Sequence, residues 1–405
     1  LALITKKIKV LSVRLYSKEV GILEEYQGKM RFQYRKDAHK PLSISLPIRE
    51  EVYTEKQCKA YFGGLLPENP ATRKALGVRY KINENNDFAL LAAIGHDCAG
   101  AVSFHTVDEP EREQTFIPLQ GELISDEELE KQIKDLPVRP YLGRRLSLAG
   151  VQEKTPICVI NGKMALPVEG SPTTHILKPL LSRFKQSVAN EYICLKAAMA
   201  TGISVPPVEI RQAGSIEFFL IKRFDRIEQN NEIMRLHHED FAQALGVRAD
   251  NKYEVTFKDC LKVLSLTNRP ALEKMKFISM AVFNYLIGNC DAHGKNFSLL
   301  HMDNGILLAP FYDVLCTNVY DLEHTMAMKI GKTRYIEEVT LRDWESFSRQ
   351  LDVNPALTLE ELKRQLNTLP EELEKVVKEL QASIGDEILE FVLKNRENTR
   401  KRLKL

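Results

Sequence analysis

Paired cysteines, long apolar runs and a surplus of charge of either sign are all missing from this chain of 405 residues. The seven cysteines, at 58, 98, 158, 194, 260, 290 and 316, are scattered and never fall as Cys-x-x-Cys. An odd, unclustered set excludes a disulfide framework and a clustered structural zinc site, and it suits a reducing compartment. The most apolar window, FISMAVFNYLIGNC, is too short and too polar to span a bilayer, so no membrane association is expected. KKIKVLSVRLY near the start alternates like a strand and has no small-residue cleavage site, so no signal peptide is expected there. Fifty-seven basic residues against 55 acidic leave a net charge of +2, which argues neither for nor against nucleic acid. His-Glu-x-x-His, paired histidines at helical spacing, internal repeats and low-complexity segments are lacking too. These exclusions leave a soluble cytoplasmic protein with room for two or three domains.

Up to residue 107 the text reads mainly as strands and turns (KIKVLSVRLY, GKMRFQY, PLSISLP, GAVSFH), with a short helix at FALLAAIG. The acidic, Pro-containing DEPEREQ at 108–114 marks a subdomain boundary. SDEELEKQIKDL has Ser125 ahead of acidic residues, the start of a capped helix. TPICVI, THILKP and IEFFLIKRF read as strands, and VANEYICLKAAMATG as a helix closed by Gly202. Beyond 236 the chain turns mostly helical: HHEDFAQALG, TFKDCLKVL, ALEKMKFISMAVFNYLIG and the EELKRQL-to-LKNRE region. His237 and His238 are expected at the surface or capping the first of these. One interruption falls at 296–313, where two apolar runs flank Asp-Asn-Gly, a hairpin signal.

GNCDAHGKNFSLL, residues 288–300, gathers Cys290, Asp291, His293, Lys295 and Asn296 in one short loop. By itself it could serve a metal, a nucleophile with its base, or phosphoryl transfer, and such stretches often only solvate a helix end. Kinase chemistry needs a carboxylate at the accepting hydroxyl, oxygen ligands for Mg²⁺ and a cation at the phosphates. Asp291-x₄-Asn296 has the spacing of kinase catalytic loops, and Asp313 follows the hairpin that would return a second ligand beside the first. Upstream, Lys178 lies on the HILKP strand and Glu191 on the next helix, in the order of a phosphate-binding lysine and its orienting carboxylate. FLIKRFDR fits an adenine hinge, and LSLAGVQEK at 146–154 a turn that covers phosphates. Each element alone is weak, and their common order carries the reading. Cys290 ends an apolar helix without an electropositive setting and reads as a core residue rather than a nucleophile. Ser147, behind Arg144 and Arg145, reads on residues alone as a turn serine; phosphorylated, it would add about −1.5 to −2 charge.

Taken together, these segments resemble one family, the HipA toxins, serine/threonine kinases of bacterial toxin–antitoxin operons. YFGGLLPEN (61–69) and GHDCAGAVSFH (95–105) look like its N-terminal subdomain. SLAGVQEKTPI, HILKP, ANEYICLKAAMATGISVPPVEI, FLIKRFDR, GNCDAHGKNFSLL and LAPFYDVL follow its kinase core in order. The resemblance implies an α+β, protein-kinase-like fold of the phosphatidylinositol-kinase-related type. It would have two lobes, with a mixed α/β N-terminal part and an all-helical C-terminal lobe. Residues 1–107 would be the β-rich N-terminal subdomain, 108–224 the kinase N-lobe and 225–405 the C-lobe.

Carried over position by position, the resemblance makes Asp291 the catalytic base, Asn296 and Asp313 the Mg²⁺ ligands, and Lys178 the contact to ATP phosphates. Ala149, Gly150, Val151, Gln152, Glu153 and Lys154 would cover the phosphates, and Lys222, Arg223 and Phe224 would form the adenine hinge. His293, Gly294, Lys295, Asn296, Tyr312 and Asp313 would line the nucleotide. Ser147 would be the autophosphorylation site whose modification ejects the loop and silences the kinase. Implied partners are a HipB-type helix-turn-helix antitoxin, operator DNA mainly through it, and an aminoacyl-tRNA synthetase substrate, notably the glutamyl enzyme. Its modification would inhibit translation and promote persistence. Two other classes compete: a non-catalytic transcriptional co-repressor, and a small-molecule kinase on the same core. Val151 and Gly294 stand where Ala is common in the family, and neither change removes a functional group. The basic tail KNRENTRKRLKL reads as a frayed, solvated helix or as a contact to operator phosphates.

Overall fold

A computed structural model describes residues 9–111, 115–136, 154–168 and 170–405. The chain gathers into two compact units: Leu1–Pro179 with Gln212–Asp250, and Leu180–Arg211 with Asn251–Leu405. Both mix helices and strands, an α+β architecture.

In the first unit, an antiparallel sheet runs in the order Lys29–Tyr34, Lys18–Tyr26, Val10–Leu15, Val102–His105. Alternation along KMRFQY buries Met30, Phe32 and Tyr34, which join Phe88, Leu91 and Ile94 of the FALLAAIG helix in one core. Two helices go beyond the sequence reading, Glu55–Tyr61 and Pro70–Tyr80. Their start signals were present: Thr54 forms a capping box with Gln57, and Asn69 accepts from the Ala71 and Thr72 amides ahead of Pro70. PLSISLP, expected as a strand, is instead irregular, with a single bridge between Ser43 and Leu46. Its donors are taken by a buried side chain rather than a neighbouring strand: the Glu239 carboxylate accepts from Ser43 Oγ and, at 3.0 Å, from the Ile44 amide.

A second sheet of this unit orders Ile216–Lys222, His175–Pro179, Thr155–Ile160, Lys163–Pro167 and Gly121–Leu123. Helix Asp126–Lys134, capped by Ser125 as expected, packs Leu129 and Ile133 against Ile157, Leu177, Phe218 and Leu220. The Arg14 guanidinium donates to the carbonyls of Glu109 and Pro110, and the two compact units part after Pro179, Arg211 and Asp250.

Two loops of the first unit are joined by buried charge. Arg223 donates to Asp225 at 2.9 and 2.7 Å and to Thr173 Oγ1 at 2.8 Å, while Arg226 reaches Asp97 at 2.8 Å and Asp225 at 2.9 Å. Arg235 closes on Asp97 at 3.1 Å. HHEDFAQALG is not one helix: His237–Asp240 is extended, and Asp240 then caps the single turn Phe241–Ala244. Of its histidines one is buried and the other half-buried. His237 is buried with Nε2 2.8 Å from the Leu42 carbonyl, and His238 Nε2 lies 3.5 Å from Asp225.

The second unit is built on helices Ser187–Ala200, Phe257–Leu264, Pro270–Ile287, Leu341–Gln350, Pro355–Leu380 and Ser383–Leu403. It is not wholly helical, because it holds two short hairpins, Ser298–Met302 with Gly305–Leu308 and Thr325–Ile330 with Thr333–Tyr335. The basic tail is docked rather than frayed: Leu403 is buried, and Arg402 donates to the Val339 carbonyl at 3.0 Å and the Tyr285 hydroxyl at 2.9 Å. All seven cysteines are free and buried. No helix among the described residues is long and apolar enough to cross a membrane.

Burial alone would raise the pKa of Asp97, but the Arg235, Arg226 and Arg223 guanidinium groups outweigh it and hold the carboxyl below its ordinary value. Asp225 is depressed in the same way, burial being overcome by Arg223 and Arg226. A carboxyl depressed in the folded state contributes stability above its unfolded pKa of about 3.9 and loses it as pH falls towards the folded value. The resistance of this unit to denaturant is therefore expected to fall below about pH 4. Asp97→Ala, which strands the buried guanidinium groups, should cost about 3–5 kcal/mol at pH 7 and flatten that acid limb. An unchanged limb in the variant would contradict the assignment.

Candidate active site

The site in the second unit begins at a helix end. Pro270–Ile287 is buried over most of its length and must stop where its last carbonyls can be satisfied. Gly288 makes the stop at φ 80, a conformation that glycine adopts without strain, and a Cβ there would meet the Phe391 ring at 2.5 Å. Its carbonyl accepts from Thr317 N–H at 3.0 Å, Thr317 Oγ1 at 3.0 Å and Asn318 Nδ2 at 2.9 Å. Cys290 is folded into the same junction: its amide donates to Thr317 Oγ1 at 2.9 Å, and Sγ lies 3.2 Å from Asn318 Nδ2. Burial pushes its thiol pKa up, so it is a core residue and not a poised nucleophile.

The loop that follows is held by its own short polar side chains. Asn289 Oδ1 accepts from the Asp291 amide at 3.2 Å, and Asn289 Nδ2 donates to Asn284 at 2.9 Å. Asp291 Oδ1 accepts from the Tyr253 hydroxyl at 2.8 Å. The His293 amide donates to Asn296 Oδ1 at 3.0 Å and the Asn296 amide to the His293 carbonyl at 2.9 Å, a reciprocal pair. The Lys295 amide donates to His293 Nδ1 at 3.2 Å, which leaves the ring proton of the neutral form on Nε2. Burial first, and then the nearby Lys252 ammonium, lower the His293 pKa to about 3 against the opposing charge of Asp313, so the ring is neutral at physiological pH.

The hairpin Ser298–Leu308 returns the chain to this loop. Asn268 pairs with Ile306 through both its amide (2.9 Å) and its Oδ1 (2.7 Å), and buried Glu273 accepts from the Leu308 amide at 3.1 Å. The Phe311 amide then bonds the Ser204 carbonyl at 2.8 Å, and Tyr312 places its hydroxyl 2.8 Å from the Lys295 carbonyl and 2.6 Å from Ser298 Oγ. Asp313 follows in the left-handed region at φ 60, which aspartate tolerates better than most side chains, and Asn296 Nδ2 donates to its Oδ2 at 2.8 Å. Past it, Asn190 of the Ser187–Ala200 helix clamps the backbone of Cys316, donating to its carbonyl at 3.0 Å and accepting from its amide at 2.8 Å. The structure thus brings Asp291, His293, Gly294, Lys295, Asn296, Tyr312 and Asp313 together.

Asn296 Oδ1 and the Asp313 carboxylate are hard oxygen donors of the kind that a small divalent cation takes, alongside water and phosphate oxygens; here Nδ2 is turned to Asp313 and Oδ1 accepts from the His293 amide, so Asn296 would turn its oxygen to hold the ion. Asn296 and Asp313 therefore fit a Mg²⁺-type ion by donor chemistry. Among the described residues one other group, His96, His105 and Glu109, brings potential ligand atoms within 4.8 Å of one another. There His105 Nδ1 is already 2.7 Å from Glu109 and Nε2 2.9 Å from Ser103 Oγ, so both ring nitrogens are engaged within the protein.

The remaining expected residues lie on the first unit. Lys178 is buried on His175–Pro179 opposite Phe219, with its ammonium 5.8 Å from that ring's centroid. Lys222 points towards Glu228 at 3.5 Å. Arg223 commits its amide to the Thr174 carbonyl at 2.9 Å and its guanidinium to the buried charge cluster, so its side chain serves the fold. Phe224 packs its ring on His238, centroids 5.0 Å apart, and Lys154 precedes strand Thr155–Ile160. Ser147, Ala149, Gly150, Val151, Gln152 and Glu153 lie outside the described residues. Glu191 in the second unit is 1% exposed and is not a solvated helix residue. Sequence reasoning missed Tyr253, Asn190 and Thr317, which carry no motif; Asn190 alone left a trace, as a polar residue inside an apolar helix.

The HipA-like C-terminal domain model matches residues 146–387 and the HipA N-terminal domain model residues 11–105. The putative kinase Y4mE of Sinorhizobium fredii is 39% identical over 393 residues, covering 92% of this chain and 93% of that one. The serine/threonine-protein kinase toxin HipA of Shewanella oneidensis is 30% identical over 363 residues, covering 83% of this chain and 81% of that one. Among solved structures, a chain of the Shewanella oneidensis HipA, HipB and operator DNA complex superposes with a TM-score of 0.84 at 27% identity, covering 96% of this chain and 97% of that one.

Gly294 has a local cause within the second unit. A Cβ on it would stand 2.7 Å from Val255 Cγ2 and 2.9 Å from Val255 Cβ. Gly294→Ala is expected to destabilise the protein by about 1–3 kcal/mol through overpacking. Val255→Ala in the same chain removes the Cγ contacts but keeps Cβ, and should restore part of the loss in urea unfolding. Additive losses would mean that Val255 is not the obstacle.

Proposed function

The chain belongs to the HipA family of toxin kinases, and we propose that it transfers the γ-phosphate of ATP to a protein serine or threonine with Asp291 as base. The observation that carries this reading is the Asn296–Asp313 contact of 2.8 Å, made on the same loop that presents Asp291. The spacing of the base and the first ligand, and the hairpin return of the second, are the parts that phosphoryl transfer requires. Mg²⁺ held by Asn296 and Asp313 would neutralise charge on the phosphates. Lys178 is the residue we assign to the phosphates. The neutral His293 can donate through Nε2 without adding charge beside the nucleotide.

The acceptor, on this reading, is a serine of an aminoacyl-tRNA synthetase, the glutamyl enzyme first, so that translation slows and growth arrests. A HipB-type antitoxin would neutralise the kinase and supply the contact to operator DNA, a pairing supported by the likeness to the Shewanella complex. Autophosphorylation of Ser147 would silence the kinase.

With radiolabelled ATP, Asp291→Ala is expected to lower phosphate incorporation by about 10²–10⁴. Asp313→Ala should do likewise, and chelation should stop transfer until Mg²⁺ is restored. Equal incorporation by wild type and Asp291→Ala would remove Asp291 from the role of base. Phosphoproteomics of cells expressing each form would report the acceptor and the state of Ser147 together.

A further inference from the structure

Residues Lys252–Val255 lie over the catalytic loop inside the second unit. The Gly294 amide donates to the Lys252 carbonyl at 3.3 Å, and Val255 covers Gly294. Between them, Tyr253 sets its ring edge-on to His293, centroids 5.0 Å apart, and donates its hydroxyl to Asp291 Oδ1 at 2.8 Å. The same tyrosine is 46% exposed. It therefore contributes little to a core, yet it meets two side chains of the loop, Asp291 and His293.

Resting on the reading of Asp291 as base, we propose that Tyr253 is a positioning residue for phosphoryl transfer, one that fixes the carboxylate of Asp291 and borders the side from which the acceptor hydroxyl arrives. The terminal torsion of an aspartate is broad, so a carboxylate at a half-open site samples many planes. Base catalysis needs the receiving oxygen within hydrogen-bond reach of one proton, and small misplacements are costly. A phenol bonded to one carboxylate oxygen removes that rotation, and a hydrogen bond to an ionised acceptor is of the stronger kind. During transfer the acceptor oxygen bonds the γ-phosphorus, and the bond from that phosphorus to the β,γ-bridging oxygen breaks with its electron pair leaving on ADP. The acceptor proton goes to Asp291, and Tyr253 keeps its own proton throughout. It positions the base without exchanging a proton.

Tyr253→Phe keeps the ring on His293 and removes only the hydroxyl. The rate of label transfer from radiolabelled ATP to myelin basic protein and to the chain itself would be measured for wild type, Tyr253→Phe and Asp291→Ala, beside the affinity of each for fluorescent mant-ATP. Tyr253→Phe is expected to lower kcat roughly 10–100-fold, the worth of one hydrogen bond to a charged group, while mant-ATP affinity and the KM for ATP stay unchanged. An unaltered kcat would sink the proposal. A faster variant would sink it too, because the contact would then be an inhibitory one that the acceptor must displace. A fall in mant-ATP affinity that matches the fall in rate would overturn it in favour of a role in the nucleotide pocket through His293. If wild type binds mant-ATP but transfers no label to either acceptor, the kinase reading fails and the role of Tyr253 falls with it. That result is told apart from the others by the wild-type arm alone.

Discussion

The carbonyl oxygen of Gly288 takes three donors from Thr317 and Asn318, and the geometry of the active loop depends on that junction. A buried helix cannot end without partners for its carbonyls. Here they come from the segment just beyond Asp313, so ending the helix and returning Asp313 to the loop are one event. Asn190 secures the same segment by clamping Cys316, and Asn268 and Glu273 secure the hairpin at its other end. Asp291, Asn296 and Asp313 are thus held by backbone bonds from helices that themselves bear no catalytic group. Such support gives short, polar loop residues the rigidity that positioned chemistry requires.

The first unit solves a different problem. Asp97 and Asp225 are buried with Arg223, Arg226 and Arg235, and each charge has more than one partner. A multiply paired cluster of this kind offsets much of its own desolvation and tolerates little change, although Arg226 Nε and Arg235 Nε are buried without a hydrogen-bond partner among the described residues. It fastens the loop after the FALLAAIG helix to the strand end that was read as an adenine hinge. Arg223 is accordingly a residue whose motif position suggested a ligand and whose side chain is spent on the fold.

Much of the fold was legible because periodic segments announce themselves. KMRFQY, HILKP, IEFFLIKRF and the long helix before Gly288 carry their patterns over enough residues to decide the element. PLSISLP failed because alternation cannot foresee that buried Glu239 will take the Ile44 amide and the Ser43 hydroxyl. HHEDFAQALG failed because Asp240 caps in its middle, so one half is extended and the other a single turn. In the site, spacing revealed Asp291, Asn296 and the Asp-Asn-Gly return to Asp313. Tyr253 was invisible, since its contact spans 38 positions of chain and no local pattern records it.

The buried thiols have a use of their own. Cys58, Cys98 and Cys158 sit in one unit and Cys194, Cys260, Cys290 and Cys316 in the other. Burial raises the pKa of each, so the reactive thiolate forms only when the surrounding structure opens. Alkylation at each site therefore times a local opening, and its dependence on reagent concentration separates opening rate from opening equilibrium. The chain carries its own reporters, already distributed so that the breathing of either half can be followed in the native protein without an attached label.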